Sequence, residues 1–110
     1  IGSKVSLGEG TVVMPNAVIN TGCRIGAGCI VNTAATVDHD CTIGDYCHLS
    51  PGGHLCGTVS LGNDSWIGAG AVVLNNLSIC SKVMVAAGST VIHNLECSGV
   101  YMGTPAILHG

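Results

Sequence analysis

An aliphatic residue returns at every sixth position of the chain, from Ile1, Leu7, Val13 and Ile19 without a miss to Ile79, Val85 and Val91. Sixteen such blocks in succession would arise by chance with a probability on the order of 1e-9. Within each block the fifth position is mostly small, as at Thr11, Ala17, Cys23, Cys29, Ala35, Cys41, Cys47, Gly53, Ser65, Ala71 and Ser89. The second favours glycine, at Gly2, Gly8, Gly26, Gly44, Gly62 and Gly68. A period of six is neither the 3.6 of a helix nor the strict alternation of a long strand. It predicts an all-β chain of short strands separated by bends, stacked into a parallel β-helix. Heads and fifth residues would point inward and fill a narrow core with alternating large and small side chains, with the second-column glycines relieving strain at the bends.

This column pattern resembles that of the hexapeptide-repeat proteins, and the resemblance implies three blocks per coil of 18 residues and a left-handed coil, against the usual right-handed crossover. Residues 1–96 then form the left-handed β-helix, five and a third coils long, or roughly 26 Å at ~4.8 Å per coil. The register stops after Glu96, and residues 97–110, with Gly99, Gly103 and Pro105, are expected to form an irregular tail.

Composition fits a solenoid better than a globule. The chain has 110 residues, 47% hydrophobic, yet only three aromatics and no Phe. Charged residues make up 8%, with Lys4, Arg24 and Lys82 against six acidic side chains and a net charge of -3. That balance excludes a nucleic-acid face, which needs clustered Lys and Arg. No apolar run approaches the ~20 residues of a membrane span, and no basic-then-apolar signal opens the sequence. The expectation is a cytoplasmic protein with no membrane partner. Among the residues Val5, Val12, Val18, Ile30, Val59, Trp66, Val72, Met84 and Met102 are sixth-column side chains that point outward. Ile30, His48, Trp66, Met84 and Met102, spaced by 18, form a stripe along one face. Exposed apolar stripes mark association, here expected to be packing into a homotrimer.

Seven cysteines raise the question of disulfides. Cys23, Cys29, Cys41 and Cys47 occupy the small inward column, where a thiol behaves as a compact apolar group. Stacking one coil apart leaves them slightly beyond the ~3.8 Å between disulfide-bonded Cβ atoms. Free thiols and a reducing compartment follow. Cys56, Cys80 and Cys97 show no C-x-x-C spacing of the kind used for zinc or redox chemistry.

Polar chemistry gathers at one bend. His39 and Asp40 are the third and fourth residues of their block, and Asp38 precedes them, so an imidazole stands between two carboxylates. A carboxylate that accepts one ring N–H fixes the tautomer and strengthens the other nitrogen as a base; Asp40 is the expected partner. Asp40, Thr58, Asn76 and Asn94 share the fourth column of this corner, read as a structural ladder. A zinc site would need three convergent imidazoles, and His54 and His93 lie on a different face and three coils away, so no metal is expected.

The stretch from Asn32 through Val37-Asp-His-Asp-Cys to His48-Leu-Ser-Pro-Gly-Gly, with Ser65-Trp-Ile-Gly-Ala-Gly and Met102-Gly-Thr-Pro-Ala, closely resembles the bacterial sialic-acid O-acetyltransferase and nucleotide-amino-sugar N-acetyltransferase family. The resemblance implies an acetyl-CoA-dependent sugar acyltransferase in which His39 is the general base and Asp40 increases its basicity. It further implies that His48 contacts acetyl-CoA near the thioester and that Asn32, with Asp38, belongs to the acceptor pocket. Ala69 and Ala87, third-column residues one coil apart past the face carrying His48, are expected to bind the pantetheine arm through their backbones. His39 and His48 are half a coil apart, so they can meet only across subunits, giving sites between the chains of a homotrimer. Either an amine or a hydroxyl of the sugar serves as acceptor in this reading. The alternatives are a β-helix scaffold whose site has lapsed and a zinc carbonic anhydrase of the same fold. Members of this family carry an upstream α/β domain, so the chain is expected to be a fragment or a trimmed form.

Overall fold

A computed structural model describes residues 1–109. The hexads become strands two residues long, each made of the sixth residue of one block and the head of the next, except Val83–Val85, which has three, and no described residue is helical. Up to Val83–Val85, eighteen residues separate each strand from its neighbour in a sheet, as in the pairs Ser6↔Arg24, Ile30↔His48 and Thr36↔His54. Three parallel sheets result. The first stacks Ser6–Leu7, Arg24–Ile25, Thr42–Ile43, Ser60–Leu61 and Ser78–Ile79. The second stacks Val12–Val13, Ile30–Val31, His48–Leu49, Trp66–Ile67, Val83–Val85 and Gly99–Met102, and Ile107–Leu108 joins its edge antiparallel. The third stacks Val18–Ile19, Thr36–Val37, His54–Leu55, Val72–Val73 and Thr90–Val91.

Strands this short hold because every coil hydrogen-bonds to the next. The N–H of Arg24 donates to the Cys41 carbonyl at 2.9 Å, and that of Ile30 to the Cys47 carbonyl at 2.9 Å. Heads from Ile19 to Val91 are buried between the sheets, each stabilising the prism by about 1.5–3 kcal/mol. The fifth column does more than fill space. Thr11 Oγ1 donates to the Gly26 carbonyl at 2.6 Å, and the thiols of Cys23, Cys29, Cys41 and Cys47 reach the carbonyls of Asp38, Gly44, Cys56 and Gly62 at 2.9–3.1 Å. These small side chains satisfy second-column carbonyls that turn inward at the corners. All seven cysteines are free.

Several sequence expectations change at this level. Every fourth-column residue from Lys4 to Gly88 has positive φ, including Ala34, Tyr46 and Thr58. The left-handed bend therefore belongs to the fourth column, at a cost of about 1 kcal/mol for a non-glycine residue, and not to the second. The second-column glycines answer a different need, close approach. A Cβ at Gly68 would stand 2.6 Å from the Ala87 nitrogen, and one at Gly44 2.9 Å from the Asn63 nitrogen. Val59 is 1% exposed and Val5 packs against the core, as their fifth-column positions require.

The last coil is also shorter than the rest. Val85 pairs with Tyr101 and Ile79 bridges to Leu95, so two residues are missing from the turn after Val91. Leu95 takes the place of a head and is buried, and Tyr101 closes the core with its hydroxyl donating to the Cys97 carbonyl at 2.7 Å. The register thus changes before Glu96. Asn94 leaves the corner column and accepts the Ser78 N–H instead, and Val100, not Met102, stacks on Met84. The segment expected as an irregular tail carries the strands Gly99–Met102 and Ile107–Leu108. They lengthen the prism to 35 Å, with a cross-section of 21 × 21 Å.

Outward faces differ sharply. Sixth-column residues of the first sheet are Ser6, Arg24, Thr42, Ser60 and Ser78, whereas the second sheet shows Val12, Ile30, Trp66 and Met84, all exposed. No helix of the described residues is long and apolar enough to cross a membrane.

Candidate active site

Two polar constellations stand out, and the fold separates them. His39 and Asp40 form the corner joining Thr36–Val37 of the third sheet to Thr42–Ile43 of the first, while His48 lies on the second sheet. In a three-sided prism that corner is the edge opposite the second sheet. Within one chain, His39 and His48 are not brought together.

At the corner, Asp40 adopts positive φ and its N–H donates to the Thr21 carbonyl, while the His39 carbonyl accepts from the Thr58 N–H at 2.9 Å. The turn is thus pinned from both neighbouring coils. Asp38 Oδ1 accepts the His39 N–H at 2.8 Å and the amide of Asn20 at 3.2 Å. Half of the Asp38 carboxylate is therefore spent on the turn. His39 Nδ1 lies 3.1 Å from Asp40 Oδ2, and both side chains are more than half exposed. A carboxylate only accepts, so Nδ1 carries a proton, and in the neutral ring Nε2 presents a lone pair. That lone pair is what a general base requires.

Gly57, one coil beyond His39 and buried, completes this corner. A Cβ there would collide with the imidazole at Nε2 and stand 2.7 Å from Cε1. The ring lies in the space that a side chain would fill. The hexad pattern draws no attention to Gly57; the signal is that it sits 18 residues from His39 in the same column.

On the second sheet, Asn32 Nδ2 lies 3.2 Å from His48 Nε2, and Asn32 Oδ1 accepts the Thr33 N–H at 2.7 Å. Trp66 stacks on His48 with ring centroids 4.9 Å apart and planes at 25°. Its Nε1–H donates to the buried Ser50 Oγ at 2.6 Å. Burial pushes the His48 pKa below its ordinary value, so the ring is neutral near pH 7. Asn32 thus meets His48, the residue expected to face acetyl-CoA, and Trp66 and Ser50 join the constellation although neither was singled out for it.

The adjoining corner provides donors. Where the second column is Asn or Asp, its side chain caps the following N–H, as at Thr21, Thr33 and His39. Before Ala69 and Ala87 stand Gly68 and Ala86, which cannot cap, and no acceptor among the described residues takes these two N–H groups. Beside Ala87 opens a hollow of about 680 Å³, walled by Ala86 to Ser89 on one side and by Met102 to Pro105, Ile107 and His109 on the other. Its size suits part of an extended ligand. Among the described residues, no three His, Cys, Asp or Glu side chains converge as metal ligands would.

A family model described as bacterial transferase hexapeptide, six repeats, matches residues 4–37. No curated protein sequence matches. The acetyltransferase domain of PglB from Neisseria gonorrhoeae is 38% identical with a TM-score of 0.96, over 98% of this chain and 53% of that one. PerB from Caulobacter crescentus, solved with CoA and GDP-perosamine, is 42% identical with a TM-score of 0.96, over 98% of this chain and 52% of that one. WeeI from Acinetobacter baumannii is 29% identical with a TM-score of 0.86, over 94% and 51%. The chain spans about half the length of these solved structures. Hexad register and these likenesses agree: the chain belongs to the hexapeptide-repeat family of bacterial transferases.

Proposed function

We propose that the protein transfers the acetyl group of acetyl-CoA to the amino group of a nucleotide-linked amino sugar. The observation that carries this reading is the His39–Asp40 corner, with Nδ1–H committed to a carboxylate and Nε2 left as a base. It is supported by the likeness to PerB, solved with CoA and GDP-perosamine, and to the PglB acetyltransferase domain, also solved with acetyl-CoA.

In this reading the amine nitrogen attacks the thioester carbonyl carbon while His39 Nε2 takes the amine proton. The tetrahedral oxyanion collapses with loss of the CoA thiolate, and the imidazolium returns the proton to that sulfur. No covalent acyl-enzyme is needed, because both substrates are held together and direct transfer requires only positioning and a base. The oxyanion needs an N–H donor, and His48 lies on the face where the cofactor is read to bind. The free N–H groups of Ala69 and Ala87 hold the pantetheine arm along the corner.

A complete site requires two chains, since the corner bearing His39 is opposite the sheet bearing His48. A homotrimer in which the second sheet of one chain, with Val12, Ile30, Trp66 and Met84 exposed on it, faces the His39 edge of the next brings His39 of one chain to His48 of another. Asp38 keeps one carboxylate oxygen for the acceptor. Seven free thiols are consistent with a reducing cytoplasm.

Calorimetric titration with acetyl-CoA tests the reading. Saturable binding of about one cofactor per chain, weakened about tenfold or more by His48→Ala, supports it. A confirmed trimer that binds no acetyl-CoA favours a scaffold whose site has lapsed.

A further inference from the structure

The contacts around His48 define more than a location. Asn32 Oδ1 accepts the Thr33 N–H at 2.7 Å and lies 3.4 Å from Thr33 Oγ1. That fixes the amide orientation, because the reverse would set an NH2 group against the Thr33 N–H. The NH2 end therefore faces His48 Nε2, at 3.2 Å. An amide nitrogen only donates, so Nε2 must accept. In a neutral imidazole the proton then sits on Nδ1, for which no partner exists among the described residues.

The ring is held in that attitude from a second direction. Trp66 covers its face, and Trp66 is itself anchored to Ser50. Trp66 and Ser50 are 16 residues apart, as are His48 and Asn32. The same diagonal contact between neighbouring strands is used twice in successive coils, once to orient an imidazole and once to orient the indole that packs on it. A half-turn of the ring about χ2 would put a C–H against the Asn32 amide and lose the bond.

We infer that Asn32 is a positioning residue that holds His48 as the Nδ1-protonated tautomer, so that the half-exposed ring offers an N–H donor to its ligand. Resting on the acetyl-transfer reading, the acceptor of that N–H is the thioester carbonyl oxygen of acetyl-CoA, where negative charge develops during attack. This differs from a direct contact of Asn32 with the sugar: its carbonyl and one of its two amide hydrogens are already committed within the chain. Burial supports the assignment by keeping the ring neutral.

Nitrogen-15 labelling of the histidines gives a readout independent of activity. In long-range proton–nitrogen correlation spectra of the trimeric chain at pH 7.5, with His48 assigned by loss of its signals in His48→Gln, Nδ1 is expected to be protonated and Nε2 bare. Asn32→Asp replaces the donor by a carboxylate that only accepts, so the proton moves to Nε2. The rate constant for transfer then falls about 100-fold or more, as for loss of an oxyanion donor, while the KM for acetyl-CoA changes much less. If Asn32→Asp does not fold, Asn32→Ala serves: its ring reverts to the Nε2–H form preferred by free imidazole. A proton on Nε2 in the unsubstituted protein, or a tautomer that neither Asn32 variant changes, overturns the inference. Nδ1–H in a protein that binds no acetyl-CoA upholds the tautomer assignment and overturns the acetyl-transfer reading instead.

Discussion

Single positions decide the chemistry at the His39 corner. Gly57 has no positive φ and is buried beneath the imidazole, so alanine is compatible with its backbone and conflicts only with a ring that can swing outward. Gly57→Ala is expected to change stability by about 1 kcal/mol or less and to lower the transfer rate about 100-fold through displacement of the His39 ring. Thermal melting and steady-state kinetics on the same sample separate the two effects; a rate unchanged within twofold would show that the ring position is unimportant. The sequence made His39, Asp40 and their turn legible because a corner column follows directly from the hexad count. It left Gly57 silent, since a glycine reveals what it makes room for only when the neighbouring coil is in place. Asn32 was assigned to the acceptor pocket through the family resemblance alone, and its contact with His48 was not foreseen. Residues 16 apart are diagonal neighbours on adjacent strands, a contact that depends on side-chain direction as well as on register.

At the scale of the strand and corner, the fifth column unites packing with hydrogen bonding. Burial raises the Cys41 and Cys47 thiols to about 11, and it raises Cys23 as well. Their folded values exceed those of the unfolded chain, so the stability they confer is complete below about pH 9, the ordinary value. It is lost as pH rises toward about 11, because the unfolded thiols ionise first. Melting temperature is accordingly expected to fall over that window, and less steeply in a Cys41→Ser, Cys47→Ser variant that keeps the donors but not the titration. An equal slope in both proteins would assign the alkaline loss to other groups. The hexads announced these cysteines as inward and small, whereas the carbonyls they satisfy emerge only from the coil-to-coil offset. The final coil shows the converse. Leu95 and Tyr101 replace expected heads because two residues are absent from the turn after Val91, a shortening that an unbroken pattern up to Val91 does not announce.

For the whole molecule, the decisive feature is the triangular cross-section, which sets the His39 edge opposite the sheet of His48. Trimers formed by refolding equal amounts of His39→Ala and His48→Ala chains test whether sites are shared. Each homotrimer is expected to lose about 100-fold or more of the activity, while random mixing restores sites in which His39 of one chain meets His48 of another. A quarter of the sites, roughly, then carry both histidines. Mixtures no more active than the parent variants would show that the two histidines do not share a site and undo the trimer geometry.

By itself the sequence determined the solenoid, its inward-filled columns, the free state of its thiols and the corner on which His39 and Asp40 stand, while its three sides came from the family resemblance. All but the sides follow from a period that repeats along the chain, and a period is a one-dimensional property. Tertiary structure decided which side chains meet: Asn32 with His48, Trp66 with Ser50, the His39 ring with the bare backbone of Gly57, and Tyr101 with the end of the core. Such contacts join different coils. Their geometry rests on the offset between coils and on the direction each side chain takes from its strand, and both exist only once the chain has wound upon itself.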